Sequence, residues 1–280
     1  MSTVVTAEEL NAALHGDTPP VVLDVRWALG DTAGRQHYRT AHIPGAVFVD
    51  LDAELAAHGE PAQGRHPLPA VADLQAAARR WGLTAGTPVV AYDNTGNLAA
   101  ARAWWLLRWA GVADVKLLDG GLAAWTAAEL PTRSGDEHPA APGDIVLNEG
   151  QLPTLTADQA AALATEGVLL DARAAERYSG EAEPIDPRAG HIPGARSAPT
   201  SENLDPDGRF ASVDALRARF TSVGAEPGTT VGVYCGSGVT AAHQVAALAL
   251  AGVDAALYPG SWSQWSSDPN RPVATGLDPR

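Results

Sequence analysis

Short apolar runs recur along the chain and are separated by longer segments with the apolar spacing of helices. These runs are apolar on both faces, which is typical of parallel strands covered by helices on either side of a sheet. The predicted buried strands span residues 21–26, 88–92, 115–118, 168–173 and 230–233. Because strands and helical segments alternate, the pattern predicts an α/β fold.

The same order of features occurs twice. The sequence His-Ile-Pro-Gly-Ala stands at 42–46 and again at 191–195, and an Asp-x-Arg ending of a strand stands at 24–26 and again at 171–173. A helix capping box precedes the first strand in each half, at Thr6 to Glu9 and at Thr156 to Gln159. Such repetition indicates an internal duplication.

We therefore expect two tandem α/β domains, each with a mainly parallel sheet flanked by helices. The first domain is predicted over residues 1–130 and the second over residues 154–280. Residues 131–153 are rich in Pro, Gly and charge, which predicts a linker.

Composition narrows the possible partners. The 280 residues are 45% hydrophobic, enough for substantial cores, and the formal net charge of −14 argues against nucleic acid or an anionic membrane as partner. The single cysteine excludes a disulfide framework and a cysteine-rich metal site. The first ten residues contain Glu8 and Glu9 and do not resemble a signal or transit peptide, and no apolar run has the length of a membrane span. With a lone thiol, this predicts a cytoplasmic protein.

That single cysteine, Cys235, lies between a predicted strand and a predicted helix over residues 241–251. Gly236 and Gly238 allow the backbone to turn its amides inward, and the helix N-terminus adds positive potential. Both effects favour the thiolate form, which is the nucleophile. The alternative interpretation is a buried structural cysteine.

The loop also discriminates between families. Cysteine phosphatases close a similar loop with an arginine six positions after the cysteine, where this chain has Ala241. Cys-Gly-Ser-Gly-Val-Thr-Ala at 235–241 resembles the active-site loop of the rhodanese superfamily, most closely that of the 3-mercaptopyruvate sulfurtransferases. The resemblance implies that Gly236, Gly238, Val239 and Thr240 line the substrate site beside Cys235.

The first repeat has Asp93 where the second has Cys235. A carboxylate cannot carry sulfur, so the resemblance implies a catalytically silent first domain. Its loop over residues 94–97 also lacks the Gly-Ser-Gly cradle, so Asp93→Cys is not expected to restore activity to a Cys235→Ser protein.

Further site residues follow from the same resemblance. Arg177 corresponds to the arginine that binds the donor's anionic group. The family's second arginine is replaced by Asp186, and Arg188 is the alternative. Ser237, His42 and Asp31 correspond to a serine–histidine–aspartate set proposed for that branch of the family. The histidine recurs at His191, so the alternative interpretation is that His42, like His191, holds the turn of the His-Ile-Pro-Gly-Ala loop.

The resemblance implies transfer of a sulfane sulfur through a Cys235 persulfide. The donor is a small molecule, 3-mercaptopyruvate, and the acceptor is cyanide, a thiol or a thioredoxin-like protein, with no metal or organic cofactor. Gly236 and Ser237 are uncharged where thiosulfate-preferring relatives have cations, which favours 3-mercaptopyruvate, and Gly236→Arg with Ser237→Lys is expected to favour thiosulfate. The alternatives are a thiosulfate:cyanide sulfurtransferase and a non-catalytic sulfur carrier or redox sensor.

Overall fold

A computed structural model of the chain describes residues 2–278 and divides it into two compact units. Within that range, the first unit comprises residues 2–57, 69–152 and 205–210. The second unit comprises residues 58–68, 153–204 and 211–278. Each unit is an α/β structure with a parallel sheet, which confirms the predicted fold class.

The first unit contains a five-stranded parallel sheet in the order β1-β5-β4-β2-β3. Its strands are β1 Val4–Val5, β2 Val21–Asp24, β3 Val47–Phe48, β4 Val89–Tyr92 and β5 Val115–Leu118. Its helices are α1 Ala7–Leu14, α2 Gly34–Thr40, α3 Leu51–Glu54, α4 Val71–Arg80, α5 Ala100–Trp109 and α6 Gly121–Ala127.

The second unit contains a four-stranded parallel sheet in the order β7-β6-β8-β9. Its strands are β6 Val168–Asp171, β7 Arg196–Ser197, β8 Val231–Tyr234 and β9 Ala255–Leu257. Its helices are α7 Ala157–Glu166, α8 Ala175–Ser179, α9 Val213–Ser222, α10 Thr240–Ala251 and α11 Ser261–Ser267, with 3-10 turns at Pro61–Gln63 and Thr200–Asn203.

Both predicted capping boxes are present. The Thr6 hydroxyl accepts from the Glu9 amide and Glu9 bonds back to the Thr6 amide, and Thr156 and Gln159 do the same at α7. Each box satisfies two amides that have no partner within the helix. The two helices therefore begin where the sequence predicts.

In each unit, an aspartate–arginine ion pair lies at the carboxyl end of one central strand. Asp24 and Arg26 approach to 2.7 Å, and Asp171 and Arg173 to 2.6 Å. Arg173 also donates to the Gly190 carbonyl at 2.7 Å, directly before His191. Each arginine thus holds the loop that carries the His-Ile-Pro-Gly-Ala sequence, since Arg26 likewise binds the Ala41 carbonyl.

The segment predicted as a linker packs instead on the first unit. The Gly143 amide donates to Arg79 O at 2.7 Å and the Ile145 amide to Leu83 O at 3.1 Å, and the Ile145 side chain is buried. These backbone hydrogen bonds hold the Pro-rich segment although it has no helix or strand. The composition of residues 131–153 indicated a segment without helix or strand, as found. It did not indicate that backbone hydrogen bonds to the first unit hold the segment in place.

Two short segments belong to the unit formed mainly by the other repeat: residues 58–68 to the second unit and residues 205–210 to the first. The sequence pattern did not predict this exchange. Among residues 2–278, the helices are all too short or too polar to cross a membrane.

Candidate active site

Cys235 directly follows β8, at the carboxyl end of the strand, and its loop leads into α10. The side chain is buried, and the Gly238 amide donates to Sγ at 3.1 Å. Parallel α/β sheets bind ligands at this end of their strands. The sulfur therefore lies where the fold favours a ligand site, with a backbone donor directed at it.

Gly238 has to be glycine for two reasons. Its φ of 83° lies in the left-handed region, and a Cβ there would stand 2.5 Å from the Pro259 carbonyl oxygen. A larger residue would strain the backbone and displace the amide that reaches Sγ. Val239 and Thr240 complete the loop, with Val239 buried at the start of α10.

The first turn of α11 is hydrogen-bonded to the backbone of the Cys235 loop. Ser261 Oγ accepts from the Cys235 amide at 3.1 Å and lies 3.0 Å from the Tyr258 carbonyl. The Trp262 and Ser263 amides donate to the carbonyls of Cys235 and Gly236, each at 2.9 Å. Sequence analysis missed these contacts because a serine-rich helix start indicates a cap, not a partner 26 residues earlier.

Within the second unit, the histidine next to Ser237 is His66. His66 Nδ1 lies 2.7 Å from Ser237 Oγ. His42 is completely buried in the first unit, where its Nδ1 binds the Tyr38 carbonyl at 2.9 Å and its ring stacks on Tyr38. His42 and Ser237 belong to different units, so the predicted pairing of Ser237 with His42 stays a prediction, and within the first unit His42 is fixed by local packing.

Asp31 does not orient His42. Its carboxylate lies 3.0 Å from His37 Nε2 and accepts from the Ala33 amide at 2.7 Å. These contacts, led by the amide, lower the pKa of Asp31. Asp31 and His37 line a cavity of about 370 Å³ in the first unit together with Arg26 and Trp27.

Two arginines lie beside the cysteine loop. A Cβ placed on Gly236 would stand 3.2 Å from Arg65 Nη2 and 3.3 Å from Arg177 Nη1. Arg177 was predicted to bind an anion, and its position next to Gly236 is consistent with that role. Arg65 was not predicted.

Asp186 lies between these two arginines. Its Oδ1 bonds Arg65 Nη1, and its Oδ2 accepts from Arg177 Nη2 at 3.0 Å. Glu183 also binds Arg177 Nη2, at 2.7 Å. Burial raises the pKa of the Asp186 carboxyl, whereas the positive charge of Arg65 opposes that rise.

Arg188 does not replace the missing arginine. Its guanidinium donates to the carbonyls of residues at and beyond the end of α11, at distances of 2.6 to 3.0 Å: Trp265, Ser266, Asp268 and Arg271. Four of the five guanidinium N–H donors are engaged, so no pair of donors is left for a bidentate contact with a substrate anion. These contacts argue against the assignment of Arg188 to substrate binding and indicate a structural role.

The neutral loop does not mean a neutral site. Gly236 and Ser237 carry no charge, but the guanidinium groups of Arg65 and Arg177 approach Gly236 from outside the loop, paired with the carboxylates of Asp186 and Glu183. The charge near the sulfur therefore depends on these side chains as well as on the loop residues. Gly236→Arg would also force a new side chain against two guanidinium groups, so it is no clean test of loop charge.

The first repeat forms an anion cradle of its own, and Asp93 fills it. Its Oδ1 accepts from the Thr95 and Asn97 amides, each at 2.8 Å. Its Oδ2 accepts from the Ala99 and Ala100 amides at 2.8 and 3.0 Å. Gly96 stands three positions after Asp93, as Gly238 does after Cys235, and it adopts a φ of 71°; Asn97 follows at 65°.

Arg65 and His66 escaped sequence analysis because their segment belongs to the first repeat in sequence and to the second unit in space. Three contacts anchor the segment: the Arg65 amide to Ser263 Oγ at 3.1 Å, Gln264 Nε2 to Ala62 O at 2.8 Å, and Ser267 Oγ to Pro61 O at 3.1 Å. The sequence contained one indication that these residues could be functional. Gly-Arg-His-Pro at 64–67 places two polar side chains together in a stretch without helical or strand periodicity. Across residues 2–278, the structure gathers no cluster of three or more His, Cys, Asp or Glu side chains suited to a metal ion.

Comparison with known proteins supports the resemblance found in the sequence. The family model described as "Rhodanese-like domain" matches residues 6–128 and 156–268. A putative thiosulfate sulfurtransferase of Mycobacterium tuberculosis is 49% identical over 278 residues, covering 98% of this chain and 97% of that protein. A probable 3-mercaptopyruvate sulfurtransferase of Pseudomonas aeruginosa is 48% identical over 283 residues, covering 98% of each.

A crystal structure of a 3-mercaptopyruvate sulfotransferase from Escherichia coli has the same fold. It superposes with a TM-score of 0.83 at 32% sequence identity, covering 94% of this chain and 99% of that one. Relatives named for different donors are thus almost equally similar to this chain, so identity alone does not select the donor.

Proposed function

Because the chain belongs to the rhodanese family and is a tandem-domain sulfurtransferase of the thiosulfate or 3-mercaptopyruvate type, we propose that it carries sulfur as a Cys235 persulfide and takes it from 3-mercaptopyruvate. The observation that carries the proposal is the position of Cys235. The only cysteine of the chain follows the central strand β8 and receives the Gly238 amide on its sulfur.

In the first half-reaction, the Cys235 thiolate attacks the sulfur of the donor. The new S–S bond forms as the C–S bond of 3-mercaptopyruvate breaks, and the electron pair of that bond leaves with carbon as the enolate of pyruvate. One proton converts the enolate to pyruvate. The Gly238 amide stabilises negative charge on the enzyme's sulfur.

Ser237 and His66 supply that proton. At 2.7 Å, the hydroxyl and the imidazole share a hydrogen bond, so Ser237 can protonate the leaving enolate while His66 replaces the proton it gives up. Ser237 is two residues from Cys235 in the sequence. His66 belongs to residues 58–68, which lie in the first repeat of the sequence but pack in the second unit. His66 thus takes the role that the resemblance had given to His42.

In the second half-reaction, a thiophilic acceptor removes the outer sulfur. Its nucleophile attacks that sulfur, the S–S bond breaks, and Cys235 leaves as thiolate. Cyanide, a small thiol and a thioredoxin-like dithiol can each act in this way. Two successive displacements at one sulfur carrier give ping-pong kinetics.

A carboxylate donor is supported by the contacts of Asp186. One carboxylate already bridges Arg65 and Arg177, so the two guanidinium groups are spaced for that anion. The second candidate donor is thiosulfate, which the same positive pair would also attract. It is favoured by the name of the M. tuberculosis relative.

A side-by-side assay tests the proposal. We expect kcat/KM for 3-mercaptopyruvate to exceed that for thiosulfate, and incubation with donor alone to add the mass of one sulfur, which cyanide removes. Cys235→Ser should lose both the mass gain and turnover. A protein that turns over but never gains sulfur mass would contradict the persulfide, and equal or better use of thiosulfate would contradict the choice of donor.

A further inference from the structure

We propose that Arg65 and Arg177 together bind the anionic group of the sulfur donor next to Gly236, and that Asp186 positions the two guanidinium groups. This inference rests on the proposed function, because it assigns the anion site of the same reaction. It gives Arg65 a substrate-binding role and Asp186 a positioning role.

The first support is the direction of the nitrogens. Arg65 uses Nη1 and Arg177 uses Nη2 to hold Asp186, and the opposite nitrogens, Arg65 Nη2 and Arg177 Nη1, lie nearest to Gly236. Within residues 2–278, neither of these inner nitrogens has a hydrogen bond to a protein group. Two adjacent donors of like charge therefore face the residue that follows Cys235.

The second support is that both guanidinium groups have a further donor without an acceptor. Arg65 Nε and Arg177 Nε are both buried, and neither has a hydrogen-bond partner in the described part of the chain. Buried donors without partners are costly, and native proteins rarely keep them unless a ligand or water completes the site. An anion beside Gly236 would be met by both guanidinium groups.

Asp186 explains how two positive groups stay together. Like charges in a partly buried site repel one another, and a carboxylate between them offsets that repulsion. The Asp186 and Glu183 side chains are 2% and 3% exposed, and Glu183 accepts from the Asp186 amide at 3.0 Å. The short loop between them is thus fixed by its own side chains, which makes Asp186 a rigid support.

The backbone of residues 58–68 also fixes the position of Arg65. The Arg65 amide binds Ser263 Oγ, and Ser263 lies in α11, whose own amide at that residue holds the Gly236 carbonyl. The Arg65 backbone and the cysteine loop are therefore attached to the same turn of α11. This shared attachment keeps the Arg65 guanidinium in register with Gly236.

Two alkylating reagents test the anion site without depending on sulfur transfer. Iodoacetate and iodoacetamide have the same reactive carbon, but only iodoacetate carries a carboxylate. Cys235 is the only cysteine, so the mass gain of the intact protein reports its alkylation alone. The ratio of the iodoacetate to the iodoacetamide rate measures the attraction of the site for a carboxylate.

We expect Arg65→Ala to lower this ratio by about tenfold, on the scale of one charge-assisted hydrogen bond, with the iodoacetamide rate changed by less than about twofold. Arg65→Lys should give a ratio between those of Arg65→Ala and the wild type, because lysine keeps the positive charge but cannot make the bidentate contact of a guanidinium. Asp186→Asn should lower the ratio by a smaller factor. Arg80→Ala is the matched control, since it removes an arginine that pairs with Glu54 in the first unit, and it should leave the ratio unchanged.

Steady-state kinetics give the second readout. In Arg65→Ala, KM for 3-mercaptopyruvate should rise about tenfold with little change in kcat. An Arg65→Ala protein with the wild-type reagent ratio and the wild-type KM would overturn the anion site. That result would leave the persulfide mechanism intact, because the sulfur mass gain of the unaltered protein tests the mechanism separately.

Discussion

His66 Nδ1 lies 2.7 Å from Ser237 Oγ, although 171 positions separate the two residues in the sequence. The contact joins a segment of the first repeat to the cysteine loop of the second, and both belong to the same compact unit. A histidine that reaches the loop in this way can exchange a proton with the serine hydroxyl.

We expect His66→Ala to lower kcat about a hundredfold, the scale of a lost general acid–base group. The loss should appear in kcat more than in KM, because His66 acts on the proton and not on the donor's anion. His37→Ala serves as the control: His37 also pairs with a polar group, Asp31, but lies in the first unit. Steady-state turnover with 3-mercaptopyruvate is the measurement, and a His66→Ala enzyme with wild-type kcat would contradict the role.

His42 should behave differently from His66. His42 is completely buried, stacks on Tyr38 with a centroid separation of 4.2 Å and binds the Tyr38 carbonyl. We expect His42→Ala to lower the free energy of unfolding by about 2–4 kcal/mol, through a cavity and an unsatisfied carbonyl. Turnover per folded molecule should stay within about twofold. A large loss of kcat without loss of stability would support the sequence-based assignment of His42.

Alanine substitution should have different effects at the two glycines of the cysteine loop, Gly236 and Gly238. Gly238→Ala places a side chain at positive φ against the Pro259 carbonyl, so we expect a loss of at least about 2 kcal/mol of stability together with the loss of activity. At Gly236 the Cβ meets only the flexible ends of Arg65 and Arg177. Gly236→Ala should therefore retain its stability and raise KM several-fold. Urea denaturation and donor titration of the two variants distinguish these outcomes.

Replacing Arg188 should affect stability and not donor binding. Its four carbonyl partners, at and beyond the end of α11, lose their donor in Arg188→Ala, which we expect to cost about 2–4 kcal/mol. KM for 3-mercaptopyruvate should change by less than about threefold. Chemical denaturation and donor titration of the same preparation check both values, and a tenfold rise in KM with unchanged stability would return Arg188 to the substrate site.

His191 predicts an acid limit to stability. Burial lowers the pKa of His191 below its usual 6.5, and its Nδ1 binds the Tyr178 carbonyl at 2.9 Å. A histidine whose folded-state pKa is lowered contributes stability above pH 6.5, and that contribution is lost as the pH falls through the folded-state pKa.

We therefore expect the melting temperature to fall between pH 7 and pH 5, and to fall less in His191→Asn, whose amide can bind the same carbonyl but does not titrate in this range. His15→Asn replaces an exposed histidine and is the control. Melting curves at several pH values provide the test. Identical pH profiles for the wild type and His191→Asn would show that another group sets the acid limit.

The features that the sequence predicted are local in the chain. The two capping boxes and the strand–Cys235–helix unit each depend on residues within a few positions of one another. Their backbone preferences and periods are therefore visible in the sequence. The duplication added the equivalence of Asp93 and Cys235.

The features that the sequence did not predict depend on packing between distant segments. Arg65 and His66 reach the cysteine loop only because residues 58–68 pack on the second unit. Arg188 finds its four carbonyls 77 to 83 positions later in the chain. No local propensity encodes such contacts.

The amides around Asp93 bind a carboxylate that is part of the chain, whereas the matching position of the second repeat holds a sulfur whose charge and size change in each cycle of the proposed reaction. Under that mechanism the anion of the first loop is constant, and that of the second alternates between thiolate and persulfide. The resistance of the second unit to heat should then depend on which sulfur species Cys235 carries. An enzyme kept with donor and without acceptor will retain its activity longer at elevated temperature than the same enzyme kept with acceptor alone.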